Sequence, residues 1–252
     1  MKKTAIALLA VAATGFIAQA SLADNAYQTL PYSNNWSGIA LIAVDDNWSG
    51  VPGVLGYRGD NPTTTVSGVD PQTVLGDDLP GVIDINANKP DPLVFFSGGC
   101  TEFELANPTV ALAGSGTADA PYLVLHINAT GKQNIAVSYL LRDLEGAPGT
   151  DDAVQQVALQ FRTGPGAWTN VPAGYVADAT TGPAAVPAVT PVAVTLPAAA
   201  DGAATLQIRI MTTNAGGNDE WTGVDDISVS GEDIPVPATA STWGKIKGVY
   251  RN

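Results

Sequence analysis

Glu220-Trp221-Thr222-Gly223-Val224-Asp225-Asp226-Ile227-Ser228-Val229-Ser230-Gly231 reads as the closing strand of a β-sandwich. Trp221, Gly223, Asp225 and Ile227 alternate with Thr222, Val224, Asp226 and Ser228, so the period of two is present while both faces are mixed. Successive strand side chains point to opposite faces, so Asp225 and Asp226 are expected to separate, one to solvent and one toward the core or a shared site. A carboxylate is rarely buried without a partner. The inward acid therefore needs a cation or several donors, which makes Asp225 and Asp226 candidate ligands of a structural calcium.

Working outward, further short runs sit between turn signals. Thr101–Leu105 and Thr109–Leu112 read as strands parted by Asn107-Pro108. Tyr122–Asn128 sets Leu123, Leu125 and Ile127 against Val124, His126 and Asn128; after the turn Ala129-Thr130-Gly131, Asn134–Arg142 places Ile135, Val137, Tyr139 and Leu141 on one face. These two runs are expected to pair as an antiparallel hairpin. Ala153–Arg162 turns Val157, Leu159 and Phe161 inward and Gln156, Gln160 and Arg162 outward. Ala167–Val171, Pro191–Leu196 and Thr205–Met211 follow, with an early strand at Ser37–Val44. No long window carries helical period with caps, and Gly (27) and Pro (18) are abundant, so the expectation is an all-β, antiparallel jelly-roll sandwich in a single domain. Residues 45–92 and 172–190 are long, poorly periodic loops, the usual place for function.

The ends have a different character. Lys2 and Lys3, the apolar run Ala5–Ile17 and the small residues Ala18-Gln19-Ala20 make residues 1–20 a signal peptide, implying export to the periplasm, cell surface or exterior. The sandwich is bounded at 24–231, a Pro-containing linker at 232–242, and a short amphipathic tail at 243–252 that holds the basic cluster Lys245, Lys247 and Arg251. The formal net charge is −13, and loss of Lys2 and Lys3 makes it more negative, which disfavours nucleic acid as a partner. Cys100 is the one cysteine, so no internal disulfide forms, and its Gly-Gly-Cys-Thr setting reads as a small buried residue.

Three kinds of chemistry deserve weighing. Asp45-Asp46-Asn47-Trp48-Ser49-Gly50 matches the first half of a calcium loop, with oxygens at Asp45, Asn47 and Ser49, but its twelfth position is Gly56, where a closing Glu belongs. Trp36 and Trp48 sit in a repeated Asn-Trp-Ser-Gly, and Tyr57, Trp168 and Tyr175 lie near turns; sugar rings stack on such faces, or else the rings cap the ends of the core. Catalysis has little to stand on. His126 is the lone histidine, no Gly-x-Ser-x-Gly elbow is present, and none of the five Glu lies in a recognisable catalytic context.

With those residues in view, the chain resembles a secreted bacterial jelly-roll accessory module, similar to carbohydrate-binding modules, that accompanies endonuclease/phosphatase or lamin-tail-like domains in large exported proteins. The stretches that carry the resemblance are Asp45–Asp60, Ala113–Tyr122, Ser138–Asp143, Asn170–Gly182, Arg209–Asn214 and Asp219–Ile227. The closing Asp-Asp-Ile also resembles the end of the MAM-type jelly roll, where such acids help hold calcium, although the paired cysteines of that family are missing. The resemblance implies a jelly roll without assigned catalytic residues. The expected function is non-catalytic binding of a glycan or cell-surface partner, with a structural calcium; the alternatives are a scaffold whose tail docks to a partner, and a hydrolase using paired carboxylates.

Overall fold

Each alternating run becomes a strand, and the way they stack decides where loops converge. The computed structural model describes residues 24–38, 42–63, 67–79, 81–144, 153–180, 188–217 and 219–236. The signal segment and the 243–252 tail lie outside the described residues, as do residues 237–242 of the linker.

The short strands β1 (Gln28–Thr29), β2 (Tyr32–Asn34), β3 (Val54–Tyr57) and β4 (Asn86–Lys89) come first. Then follow β5 (Gly99–Phe103), β6 (Thr109–Ala113), β7 (Tyr122–Asn128), β8 (Lys132–Asp143) and β9 (Val157–Thr163). The chain continues through β10 (Thr169–Asn170), β11 (Val189–Thr195), β12 (Leu206–Thr212) and β13 (Thr222–Asp233). One sheet runs β7-β12-β9-β10 with β1 and β3 both on β7; the other runs β11-β8-β13-β6-β5-β4 with β2 on β13. From β6 to β13 the chain winds between the sheets as β11-β8-β13-β6 against β7-β12-β9-β10, the double Greek key of a jelly roll. Most pairs are antiparallel, but β1 with β7 and β4 with β5 are parallel, so both sheets are mixed.

The core lies between the sheets. Leu123, Leu125 and Ile127 of β7, Val157, Leu159 and Phe161 of β9 and Leu206, Ile208 and Ile210 of β12 face Ile135, Val137, Tyr139 and Leu141 of β8 and Val224, Ile227 and Val229 of β13. Each such side chain contributes roughly 1.5–3 kcal/mol on burial.

This arrangement corrects three expectations. β7 and β8 do not pair as a hairpin: β7 is flanked by β12 and β3, β8 by β13 and β11, so Ala129-Thr130-Gly131 carries the chain from one sheet to the other. Their apolar faces meet through the core instead of side by side. The described part of Ser37–Val44 is not strand, and residues 39–41 lie outside the described residues. The linker expected from 232 starts later, because β13 runs on to Asp233 against Lys132.

The mixed faces of the closing strand have a cause. The register of β13 on β8 shifts between Asp225 and Ser228, and Asp226 has φ +48°. This bulge inserts a residue and re-aims the chain, so Val224, Ile227 and Val229 all point inward although the first two lie an odd three positions apart.

A second, smaller core lies on the outer face of the β7-β12-β9 sheet. The segment 67–79 straps across it, and Val69 and Val74 pack with Tyr122, Val124, Trp168 and Met211. Gln160 points outward as expected yet is fully buried there, donating to the carbonyls of Pro71 (2.9 Å) and Val74 (3.1 Å). Arg209 is buried beside it, its guanidinium 4.4 Å from the Trp168 ring and donating to the carbonyls of Gly76 (2.8 Å) and Val74 (2.5 Å). Burial lowers its pKa to about 9.

Candidate functional site

The starts of β4, β5 and β13 and the ends of β6 and β12 meet at one end of the sandwich. Two cavities of about 550 and 560 Å³ open there and share Phe96, Gly98, Ser115 and Gly116, forming one cleft. Glycines make room for it. A Cβ on Gly98 would meet Ser115, and one on Gly114 would lie 2.3 Å from the Asn214 Cα.

The first cavity has an aromatic wall. Trp221 is buried, stacks on Phe95 at 6.0 Å, and donates from Nε1 to the Phe95 carbonyl at 2.9 Å. Phe103 meets the indole edge-on at 5.2 Å. With Phe95 thus turned inward, Phe96 points outward and is 79% exposed, beside both cavities. Asp219 closes this side; its Oδ1 accepts from Ala215 N at 2.8 Å, and burial raises its pKa.

The second cavity is acidic. Asp45, Asp46 and Asp84 line it with Asn86 and Arg58. Asp84 is 8% exposed; its Oδ2 accepts from Cys100 N at 2.6 Å. Burial raises its pKa to about 6, opposed by that N–H and by Arg58, with Asp46 and Asp60 adding to the rise. Only glycine fits opposite: at φ +114° a Cβ on Gly99 would stand 2.2 Å from Asp84 Oδ2. Arg58 is held bidentately by Asp60, with Nε to Oδ1 at 2.6 Å. Cys100 is fully buried as expected, its Sγ 3.5 Å from the Tyr57 carbonyl.

The residues singled out in the sequence fall elsewhere, with one exception. Trp36 and Trp48 meet edge-to-face at 6.4 Å inside the main core, 3% and 0% exposed, and donate from Nε1 to the carbonyls of Val224 (2.7 Å) and Asp84 (3.0 Å). They cap the core and present no face to solvent. Tyr57 and Trp168 do come together, in a smaller groove of about 290 Å³ with Arg162 and Asp77. The indole there lies under Arg162 (4.2 Å) and Nε1 donates to Asp77 at 2.9 Å, leaving it 2% exposed. Tyr175 donates its hydroxyl to Gln156 at 2.6 Å.

Of the candidate metal ligands, Asp45 lines the cleft, its Oδ1 accepting from Ala87 N at 2.7 Å. Asn47 closes an Asx turn onto Ser49 N at 3.0 Å. Asp225 is fully buried with both oxygens engaged: Oδ2 accepts from Arg142 Nη1 and Asn107 Nδ2, each at 2.9 Å, and Oδ1 from Asp226 N at 2.8 Å. Asp226 is exposed on the bulge. Among the described residues no three His, Cys, Asp or Glu are grouped to hold a metal ion, so Asp45 and the Asp225–Asp226 pair do not share a site. The three-donor environment of Asp225 does not fit a calcium ligand.

The sequence reading missed Phe96, Asp84 and Asn86, which line the cleft with Arg58 and Asp219. One signal was present: Phe95-Phe96 ahead of Gly98-Gly99, where adjacent aromatics on extended backbone must face opposite ways.

No family model matches the chain, and no curated protein matches it. Among solved structures it is similar to CBM28, a carbohydrate-binding module specific for non-crystalline cellulose, at 12% identity and TM-score 0.39, over 57% of this chain and 88% of that one. It is similar also to the module TmCBM61 in complex with β-1,4-galactotriose, at 14% identity and TM-score 0.33, over 50% and 72%. A cyclase from Fischerella sp. TAU aligns at 10% identity and TM-score 0.37, over 73% and 87%. No helix among the described residues is long and apolar enough to cross a membrane.

Proposed function

We propose that the protein is an exported, non-catalytic module that binds glycans in the end cleft. The observation that carries this reading is Phe96, an aromatic ring 79% exposed between two polar cavities. A sugar presents C–H groups on one face and hydroxyls around its edge. A free phenyl face receives the first, and the carboxylates and amides of Asp45, Asp84, Asn86 and Asn214 receive the second. The cleft walls are held by backbone hydrogen bonds and packed indole, so little ordering is needed on binding.

A glycan array probed with the full chain tests the reading. It expects a restricted set of positive oligosaccharides, each lost in Phe96→Ala. An array with no positive, or positives indifferent to Phe96, would overturn it.

A further inference from the structure

Inside the sandwich, the inward rows of several strands end in oxygen at one level. On β8 the run Ile135, Val137, Tyr139 and Leu141 is followed inward by Asp143, and on β12 the run Leu206, Ile208 and Ile210 by Thr212. On β13, Thr222 and Glu220 precede the inward Val224. Ahead of β9, Gln155 precedes Val157 on the buried side, since Ala153, Gln155 and Val157 are buried while Val154 is exposed. The registers bring these positions to one end: Asp143 stands opposite Thr222, and Thr212 opposite Val157. All of these oxygen-bearing side chains are buried, Gln155, Thr212 and Thr222 fully.

Two of the oxygens have no hydrogen-bond partner among the described residues, Thr222 Oγ1 and Gln155 Oε1. Turning the Gln155 amide over does not relieve this. Its Nε2 donates to the Thr213 carbonyl and the Thr212 hydroxyl, each at 3.1 Å, and to Asp219 Oδ1 at 3.4 Å. A carbonyl and a carboxylate only accept, so the NH2 side is fixed and Oε1 is left facing away from them. Glu220 closes on the same stretch, its Oε2 accepting from Ala153 N at 3.1 Å. Orphaned oxygens in a buried layer that also holds carboxylates are costly without positive charge.

The basic side chains of the described residues are engaged elsewhere. Arg58 pairs with Asp60, Lys89 with Asp45, Lys132 with Asp233, Arg142 with Asp225 and Arg162 with Asp77, while Arg209 is bound to Gln160. We propose that this layer binds a divalent cation of calcium's size, with Gln155 Oε1, Thr222 Oγ1 and the carboxylates of Asp143 and Glu220 as its protein oxygens. Calcium accepts mixed carboxylate, amide-carbonyl and water oxygens in flexible geometry, whereas magnesium demands a near-ideal octahedron. The site is separate from Asp225 and Asp226, and it stands whether or not the end cleft binds sugar. Through Gln155, which holds the Thr213 carbonyl and Asp219, the ion braces the side of the cleft lined by Asn214 and Asp219.

The test is scanning calorimetry of the full chain, stripped with EDTA and then titrated with calcium chloride, against sodium chloride of equal ionic strength. Calcium at about a hundredfold excess over Kd is expected to raise the melting temperature by roughly 5–10 °C, and magnesium by less. Thr222→Val keeps the side-chain shape and removes an unpartnered hydroxyl, so the metal-free variant should fold at least as well as the parent while losing most of the calcium shift. Gln155→Met, compared with its own metal-free form, should lose it likewise. Asp45→Asn and Asp225→Asn should each keep it. No rise beyond the sodium control would overturn the proposal, since buried water would then satisfy both oxygens. A rise that survives intact in Thr222→Val and Gln155→Met, or one abolished by Asp45→Asn or Asp225→Asn, would overturn it by placing the ion elsewhere.

Discussion

Half-buried Arg142 of β8 and fully buried Asp225 of β13 form an ion pair, Nη1 to Oδ2 at 2.9 Å, on the outer face of their sheet. They are diagonal neighbours, Asp225 standing opposite Leu140 and Arg142 opposite Gly223. The pair sits where the β13 bulge begins, and Arg142 also donates to the Asn107 carbonyl at 3.0 Å, tying the β5–β6 connection to the same point.

Removing the cation should therefore cost more than the pair contributes. Burial already raises the Asp225 pKa, against the pull of Asp226 N and Arg142. Arg142→Met leaves the carboxylate without its charge partner and is expected to lose roughly 3–5 kcal/mol in denaturant unfolding at pH 7. The loss should shrink on acidification, because protonated Asp225 needs no counter-charge. The double variant with Asp225→Asn should recover most of it. A loss below about 1 kcal/mol would show that water already screens the pair.

Asp84 makes a pH signature. Its folded pKa of about 6 is above the ordinary aspartate value, so between pH 4 and 6 the folded state holds a proton that the unfolded state has released. Stability from this group is therefore fully present below about pH 4 and declines as pH rises through 6. The predicted difference is on the order of 2–3 kcal/mol. Asp84→Asn, which can still accept from Cys100 N, should remove that slope when its unfolding is compared with the parent across pH 4–7.

The two Asn-Trp-Ser-Gly tryptophans should behave as core residues. Trp48→Ala is expected to cost roughly 3–5 kcal/mol through cavity formation. Phe96→Ala, by contrast, should leave the melting temperature within about a degree, since an exposed side chain away from packing contributes under ~0.5 kcal/mol. Thermal melts of the two variants separate these roles.

Arg209 fastens the strap. Its guanidinium donates to carbonyls at 74 and 76 and to Gln160, so Arg209→Met should release segment 67–79. Limited proteolysis is expected to cut that segment sooner than in the parent, with the β9–β12 pairing retained.

How far the chain could be read before folding follows from these elements. β7, β8, β9 and β12 alternate cleanly because one face of each meets the core, so their positions were legible. Which strands pair was not: alternation marks the buried face but is silent on the neighbour, and β7 and β8 face each other where a short turn suggests a hairpin. The bulge at Asp226 hid the inward set of β13 by shifting its period. β3, β4 and Asp84 come from residues 45–92, whose Gly and Pro content reads as loop, and only tertiary pairing makes them strands. Whether Trp36 and Trp48 stack on a ligand or cap the core was open in the sequence, because a tryptophan beside turn residues suits either; both are large enough to reach back and close the core.

The most direct measurement is a fluorescence titration of an array-positive oligosaccharide into the parent, Phe96→Ala and Tyr57→Ala, using Trp221 in the cleft wall as the reporter. The account predicts a saturable change in the parent, near-parental binding in Tyr57→Ala, and at least about a thirtyfold loss in Phe96→Ala, as for an aromatic anchor worth 2 kcal/mol or more. Undiminished binding in Phe96→Ala, with the loss appearing in Tyr57→Ala instead, would contradict it and move the site to the groove beside the strap.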